Sequence, residues 1–360
     1  MAPGDHIDVM TTLPNRYASF HAETLTLEET MGFRVERIKL PSHKSGMIDQ
    51  AKAFIYFAGS VLKRVKKREY DFVFATSSRL MTAALGAFIA KQKKAKLYLD
   101  IRDLFLDTFG EVISKPFVWF MLPVLSLIER KTMLSAQHIN LVSKGFEGYF
   151  SQRYPKLSLS WFSHGIDEVF MVSPPAFSAF PIRSDKPLNI LYAGNIGEGQ
   201  GLHMIIPDLA KRLKDKVHFK IIGDGGKKEA LRLALDHFQS SHVTLIPPIS
   251  RDALIDAYQE ADVLFLHLND YAAFRKVLPS KLFEYAAMGK PIWAGVSGYA
   301  AEFIRNEVDN AVIFSPCDAE EAEIVFSELE MRYSPRERFI KKFKRSDIMH
   351  EMVSDMLRLI

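Results

Sequence analysis

Two doubly wound α/β domains in tandem, each a mainly parallel sheet with helices on both faces, are predicted from three observations. The chain has 360 residues, enough for two domains that each bury a core. Short β-branched or aromatic runs alternate with longer helix-patterned runs through both halves, the signature of βαβ units. Between the halves lies a Pro-rich, unpatterned stretch that opens with Ser173, Pro174 and Pro175 and closes at Pro181, which reads as a linker.

The first domain is expected over 1–172. Its strands fall at 7–12, 34–40, 72–75, 96–101 and 139–142, and its helices near 47–68, 79–92 and 116–135. The linker occupies 173–186. The second domain, 187–335, takes strands at 188–192, 217–222, 243–246, 263–268, 291–294 and 311–314. Helices fit near 202–214, 227–239, 250–260, 280–288, 299–306 and 318–332. Residues 336–360 read as a C-terminal helix free to cross back to the first domain. No short internal repeat accompanies this coarse duplication.

Composition narrows the function. With 48% hydrophobic and 25% charged residues, 19 Gly and 17 Pro, the chain is neither disordered nor collagenous. Its one cysteine, Cys317, has no intrachain partner, and no Cys/His cluster has zinc spacing, so no metal is assigned and a reducing cytoplasm fits best. A net charge of +4 demands no nucleic acid. The apolar run 116–128 contains Pro123 and falls well short of the ~20 residues of a spanning helix. The N-terminus, MAPGDHIDVMTT, lacks the basic and apolar regions of an export signal.

Doubly wound sheets bind ligands beyond the carboxyl ends of their strands. Two loops there are rich in glycine: Gly194-Asn195-Ile-Gly197-Glu-Gly199-Gln200-Gly201, and Gly223-Asp224-Gly225-Gly226. Such loops let backbone N–H groups approach a phosphate, although an ordinary tight βα turn has the same composition. Met204 and Lys228 stand where a dinucleotide fingerprint needs its third glycine, and no P-loop pattern occurs. Nicotinamide, flavin and P-loop chemistry are therefore disfavoured.

The segment from Arg275 to Pro291 is the most informative. Pro279 and Ser280 suit a helix start, and Gly289-Lys290-Pro291 a stop. Lys281 and Glu284 then share a face, one able to neutralise a diphosphate and the other to accept hydrogen bonds from a ribose diol. A solvated ion pair is the alternative, worth about 0.3 kcal/mol.

These motifs resemble a family. VLPSKLFEYAAMGKPIWAG, LYAGNIGEGQGL, the turn Ser163-His164-Gly165-Ile166-Asp167, YLDIRDLFLD and EADVLFLHL are together similar to GT-B glycosyltransferases of retaining family 4. Within it they are closest to bacterial O-antigen and capsule transferases that use nucleotide-linked amino sugars. The resemblance implies two Rossmann-like domains with a nucleotide-sugar donor, UDP-linked by expectation, held mainly by the second. Glu284 matches the ribose-binding glutamate of the family's Glu-x7-Glu pair, and Lys276 replaces its partner. Asn195 and Gln200 replace the family's arginine and lysine phosphate pair, so Lys281, with Arg275 or Lys276 and the glycine-loop amides, meets the phosphate charge. Asp103 matches an acidic residue at a strand end, with Arg102 in place of a common histidine, and the two also read as a charged pair closing the strand. His164 is read either as a substrate contact or as a local turn residue. The family's opening strand, glycine turn and helix are absent before HIDVMTTLPNRY, so the first domain is expected to lack its first βα unit.

The expected catalytic residues are Asp103, Lys281 and Glu284. The expected donor-binding residues are Gly194, Asn195, Gly197, Gly223, Gly225, Arg275, Lys276, Ser280, Lys281 and Glu284. The resemblance implies a retaining, metal-independent transfer of a hexose or N-acetylamino sugar, without a cofactor, to a polyprenyl-pyrophosphate-linked saccharide. The rivals are a GT-B nucleotide-sugar epimerase and a non-catalytic membrane-associated subunit. The aromatic run 53–57 followed by basic residues 63–68 reads as a helix lying on an anionic membrane at the inner face of the plasma membrane, against the alternative of a core helix with a solvated basic end.

Overall fold

A computed structural model describes residues 6–13, 24–41, 47–77, 79–112, 115–171, 186–238 and 240–360. Of the expected linker, residues 173–185 lie outside that set.

The first domain contains β1 (Ile7–Thr12), β2 (Leu27–Thr30), β3 (Phe33–Ile38), α1 (Met47–Val65), β4 (Phe72–Ser77), α2 (Leu80–Lys93), β5 (Lys96–Ile101), α3 (Phe105–Val112), α4 (Lys115–Leu134), β6 (His138–Leu141), α5 (Glu147–Arg153) and β7 (Leu159–Ser160). Among the described residues the expected single sheet is two hydrogen-bonded sheets. One has the order β1-β3-β2, with β2 antiparallel to β3, and the other is the parallel β4-β5-β6-β7. Strand β2 escaped the sequence reading because LEET is exposed at every position and shows no apolar alternation.

The four-stranded sheet has two unlike faces, as the period of two dictates. Leu97, Leu99, Ile101, Ile139 and Leu141 point into an apolar core with α2, α4 and α5. Lys96, Tyr98, Asp100, His138 and Asn140 lie in the alternate positions and form the opposite, polar face.

The second domain contains β8 (Leu188–Asn195), α6 (Leu202–Arg212), β9 (Val217–Asp224), α7 (Lys228–His237), β10 (Val243–Ile246), α8 (Arg251–Glu260), β11 (Val263–His267), α9 (Lys281–Ala287), β12 (Ile292–Gly295), α10 (Gly298–Glu307), β13 (Ala311–Phe314) and α11 (Ala319–Phe326). Its six strands are all parallel in the order β10-β9-β8-β11-β12-β13. Renumbered within the domain this is 3-2-1-4-5-6, the Rossmann order, whose strand sequence reverses between β8 and β11. Both faces are apolar: Tyr192, Phe219, Phe265 and Trp293 pack on one side, Leu191, Leu264, Leu266 and Ala294 on the other. The Trp293 indole satisfies its N–H on the Ala322 carbonyl at 3.1 Å.

The C-terminal segment is two helices, α12 (Glu337–Lys342) and α13 (Arg345–Leu357), rather than one. The break sits where the Phe343 carbonyl accepts from Ile166 N–H at 2.7 Å and Arg345 N–H donates to the Ile166 carbonyl at 3.0 Å. Ile166 and Phe170 belong to the second domain's core. Beyond the break, α13 lies over the polar face of the first domain's parallel sheet. Asp355 takes the Tyr98 hydroxyl at 3.1 Å and lies 3.0 Å from His138 Nε2.

The basic end of α1 is partly committed. Arg64 pairs with Glu36 at 2.8 Å, and Arg68 pairs with Asp8 at 2.7 Å and Glu36 at 2.8 Å. Ala53, Val61 and Val65 are buried, while Ile55, Tyr56, Lys63, Lys66 and Lys67 are exposed. Among the described residues no helix is long and apolar enough to cross a membrane.

Helix α9 is anchored by an aromatic cluster. The fully buried Phe283 ring lies 5.8 Å from Phe303, 6.1 Å from Phe339 and 5.4 Å from Phe343. Phe283→Ala is expected to lower unfolding stability by about 3–5 kcal/mol. Denaturant melts would refute this anchoring role if the loss stayed under about 1 kcal/mol.

Candidate functional site

The topological switch point lies between the ends of β8 and β11, where two neighbouring loops leave the sheet in opposite directions and open a crevice. The loop after β8 is the first glycine loop. His267, the last residue of β11, fastens it: Nδ1 donates to the Gln200 carbonyl at 2.7 Å, and Nε2 accepts from Cys317 N–H at 3.0 Å. Burial lowers its pKa to about 4, so this ring is neutral and its tautomer fixed. Asn269 adds its N–H to the Gly199 carbonyl at 2.9 Å and its amide to the Glu198 carbonyl at 3.0 Å. Glu198 holds Tyr271 and Lys227, each at 2.7 Å.

Gly194 and Gly223 are required by close approach. Gly223, at φ +154°, faces the Gly194 carbonyl in space that a Cβ would occupy. Gly194, at φ +148°, faces the Lys281 ammonium in the same way. Lys281 therefore reaches from the first residue of α9 across to the glycine loop, with its Nζ 5.2 Å above the Tyr192 ring. A Cβ on Gly225 would meet the Ile196 carbonyl at 2.5 Å, so the second glycine run serves to pack one loop on the other.

Glu284 lies one turn after Lys281 and accepts from the Tyr258 hydroxyl at 3.0 Å. Burial raises its carboxyl above the usual range, and Asp167 adds to the rise, while Lys281, Tyr258 and Arg251 oppose it. Ser280 precedes the helix without a side-chain cap. The helix has only seven residues, so the cationic charge here comes from Lys281.

The remaining expected donor ligands are placed differently. The Asn195 amide donates to the Gln200 side chain at 2.7 Å, so the two residues in place of the family's basic pair hold each other within the loop. Gly197 is pressed against that Asn195 amide. Arg275 turns to Asp270 at 3.0 Å. Lys276 crosses to the first domain, where its ammonium lies 2.5 Å from Asp107 and 5.7 Å from the Tyr149 ring. Its carbonyl accepts from Ser143 Oγ at 2.7 Å.

Asp103 follows β5 and receives the Leu104 backbone N–H and, at 3.5 Å, the Thr108 hydroxyl. Burial raises its pKa. It lines a pocket with Ser77, Arg79, Leu80 and Glu129 inside the first domain. Among the described residues no hydrogen bond or ion pair joins Asp103 to the second domain, so the structure brings Lys281, Glu284 and the glycine loop together without it. Arg102 points to the other side of the sheet, binding Asp100 at 2.9 Å and Thr76 at 2.8 Å through Nε.

Residues 176–346 match the family described as Glycosyl transferases group 1. The matched segment contains the whole crevice, from the glycine loop to α9. A protein of Escherichia coli strain K12 named for a colanic acid biosynthesis glycosyl transferase, WcaI, is 39% identical over 106 residues. That match spans 29% of this chain and 26% of the relative's length.

Solved structures extend the fold likeness over the whole chain. Sucrose-phosphate synthase of Thermosynechococcus elongatus aligns with TM-score 0.71 at 16% identity, covering 99% of this chain and 89% of its own. HepE of Anabaena, solved with UDP-glucose, gives TM-score 0.66 at 14% identity, covering 91% and 86%. Trehalose 6-phosphate synthase of Burkholderia multivorans gives 0.70 at 10%, covering 99% and 97%. The fold is GT-B, as the resemblance implies, with the two Rossmann-like domains that the sequence pattern predicts.

Sequence reasoning missed Tyr258, Asp107, His267 and Glu198. Their partners lie 26, 169, 67 and 73 positions away, respectively, so no local spacing marks them. Among the described residues no group of three His, Cys, Asp or Glu side chains is arranged to hold a metal ion.

Two outcomes follow. Gly194→Ala is expected to lose about 1–3 kcal/mol of stability, with more than about 0.5 kcal/mol of that recovered in a Lys281→Ala background. Additive losses in the double-mutant cycle would contradict the contact. Glu284 binds its proton more tightly folded than unfolded. It therefore subtracts stability as pH rises from about 4.5 through its raised folded value. Glu284→Gln should match the parent near pH 4 and exceed it above pH 7 in thermal melts. Equal melting at both pH values would show the carboxyl to be unperturbed.

Proposed function

We propose that this chain transfers a hexose or N-acetylamino sugar from a UDP-linked donor to a lipid-linked saccharide in cell-surface polysaccharide assembly. The observation that carries this reading is the Lys281 ammonium lying against Gly194 at the switch point, with Glu284 one turn further along. A donor diphosphate takes charge-assisted contacts from Lys281 and from amides of the stretch 197–199. The amides of Ile196, Gln200 and Gly201 are already engaged by Asp224, Gly197 and Glu198 carbonyls. Glu284, fixed by Tyr258, accepts hydrogen bonds from the ribose diol.

The sequence matches to WcaI and to the Glycosyl transferases group 1 family support transfer, and the UDP-glucose complex of HepE supports a uridine donor on a like fold. Asp107 supplies a carboxylate to the cleft beside Lys276, where the family's first glutamate is replaced. Lys281 and the loop amides stabilise the departing diphosphate, so no metal or cofactor is assigned, and the anomeric configuration is retained by analogy with the family. Exposed Ile55 and Tyr56 with Lys63, Lys66 and Lys67, and exposed Trp119, Val124 and Leu127, suit a peripheral position on the anionic inner face of the plasma membrane.

The test is calorimetric titration with UDP, followed by product analysis with labelled UDP-sugars and a polyprenyl-pyrophosphate acceptor. Lys281→Met is expected to weaken UDP binding about 10- to 100-fold, the worth of a charge-assisted contact. Glycosylated lipid is the expected product. An isomerised free donor would instead make the chain an epimerase, and binding without turnover a non-catalytic subunit.

A further inference from the structure

On the polar face of the first domain's sheet, where α13 begins, a second pocket of about 110 Å³ is lined by Asp100, Arg102, His164, Arg345, Met349 and Met352, among others. At about 30 Å³ per water it has room for a few waters or one small oxyanion. It lies at the carboxyl ends of β5, β6 and β7, the edge where a parallel sheet presents ligands.

The charges around it are unequally spent. Asp100 is fully buried and saturated: Oδ1 accepts from Asn140 at 2.8 Å, and Oδ2 from Thr76 at 2.8 Å and Arg102 Nε at 2.9 Å. Arg102 uses only Nε in these bonds, and its side chain is 44% exposed. The two terminal nitrogens of its fork have no hydrogen-bond partner among the described residues. Arg345 gives Nε to the His164 carbonyl at 2.8 Å and Nη2 to the Gly165 carbonyl at 3.4 Å and pairs through Nη1 with Asp167, while its side chain stays 39% exposed. The His164 ring lines the same pocket with no hydrogen bond among the described residues. Burial, then the nearby Arg102, lowers its pKa to about 4, with Asp100 opposing and Arg345 adding to the effect.

We propose that Arg102, His164 and Arg345 form a phosphoryl-binding site, separate from the one at Lys281. Donors from three separate segments suit a tetrahedral oxyanion, which accepts from several directions, better than a planar carboxylate. A neutral imidazole supplies an N–H without needing a second proton. Met349 and Met352 give the pocket an apolar wall. Assigning this phosphoryl group to the pyrophosphate of a prenyl-linked acceptor rests on the function proposed above; the anion site itself does not.

The experiment is calorimetric titration of the full chain, saturated with UDP, using inorganic phosphate and, separately, geranyl pyrophosphate. One phosphate is expected to bind per chain. Arg102→Gln should weaken it at least tenfold, and Arg102→Lys, which keeps the charge without the fork, should weaken it less. Matching melting curves for the two variants verify folding. Geranyl pyrophosphate binding tenfold tighter than phosphate assigns the site to an acceptor, and equal affinities assign it to free phosphate. Absence of phosphate binding at 10 mM, binding indifferent to Arg102→Gln, or displacement by UDP overturns the site. Because UDP affinity is read in the same protein, UDP binding without phosphate removes this site alone. Phosphate binding without UDP removes only the donor reading.

Discussion

The crevice of the second domain depends on backbone meeting backbone where β8 and β9 end. Gly223 admits the Gly194 carbonyl, and Gly194 in turn admits the end of Lys281. A side chain at either position would push the glycine loop away from its neighbour, and with it the cation that α9 extends over the sheet. His267 and Asn269 complete the fastening from β11, on the other side of the switch point. The loop is therefore held from both adjacent strands, which gives preorganisation that a mobile glycine loop would lack.

The two domains are joined by few but specific polar contacts. Lys276 reaches Asp107, and Ser143 caps the Lys276 carbonyl. Asp167 gathers Arg251 from α8 and Arg345 from α13. Because Asp167 and Arg251 also act electrostatically on Glu284, the junction between domains and the ribose-facing carboxyl share one set of charges. A structural tie thus doubles as a term in the electrostatics of the crevice.

Much of the fold was legible because its strands announce themselves. Val243–Ile246 and Ala311–Phe314 in the second domain, and Lys96–Ile101 in the first, begin and end at the residues the sequence pattern marks. The exposed LEET strand was not, since its pairing with β3 owes nothing to burial. The glycine loop, Lys281 and Glu284 were visible as a motif, and the structure brings them together. Arg275, Lys276 and Asn195 show the limit of motif reading. Their chemistry suits phosphate, yet each is held by a partner, Asp270, Asp107 or Gln200, and only three-dimensional proximity reveals it. Asp103 and Arg102, adjacent in sequence, face opposite sides of one strand end, so a single motif feeds two different pockets.

The return of the chain through Phe343, Lys344 and Arg345 has a mechanical meaning. The polypeptide passes between the domains twice, and the returning segment lies hydrogen-bonded beside Ile166, just before the outgoing one. A single tether would act as a ball joint, free to twist about every axis. Two segments joined side by side by a pair of backbone hydrogen bonds resist that twist as a single tether cannot.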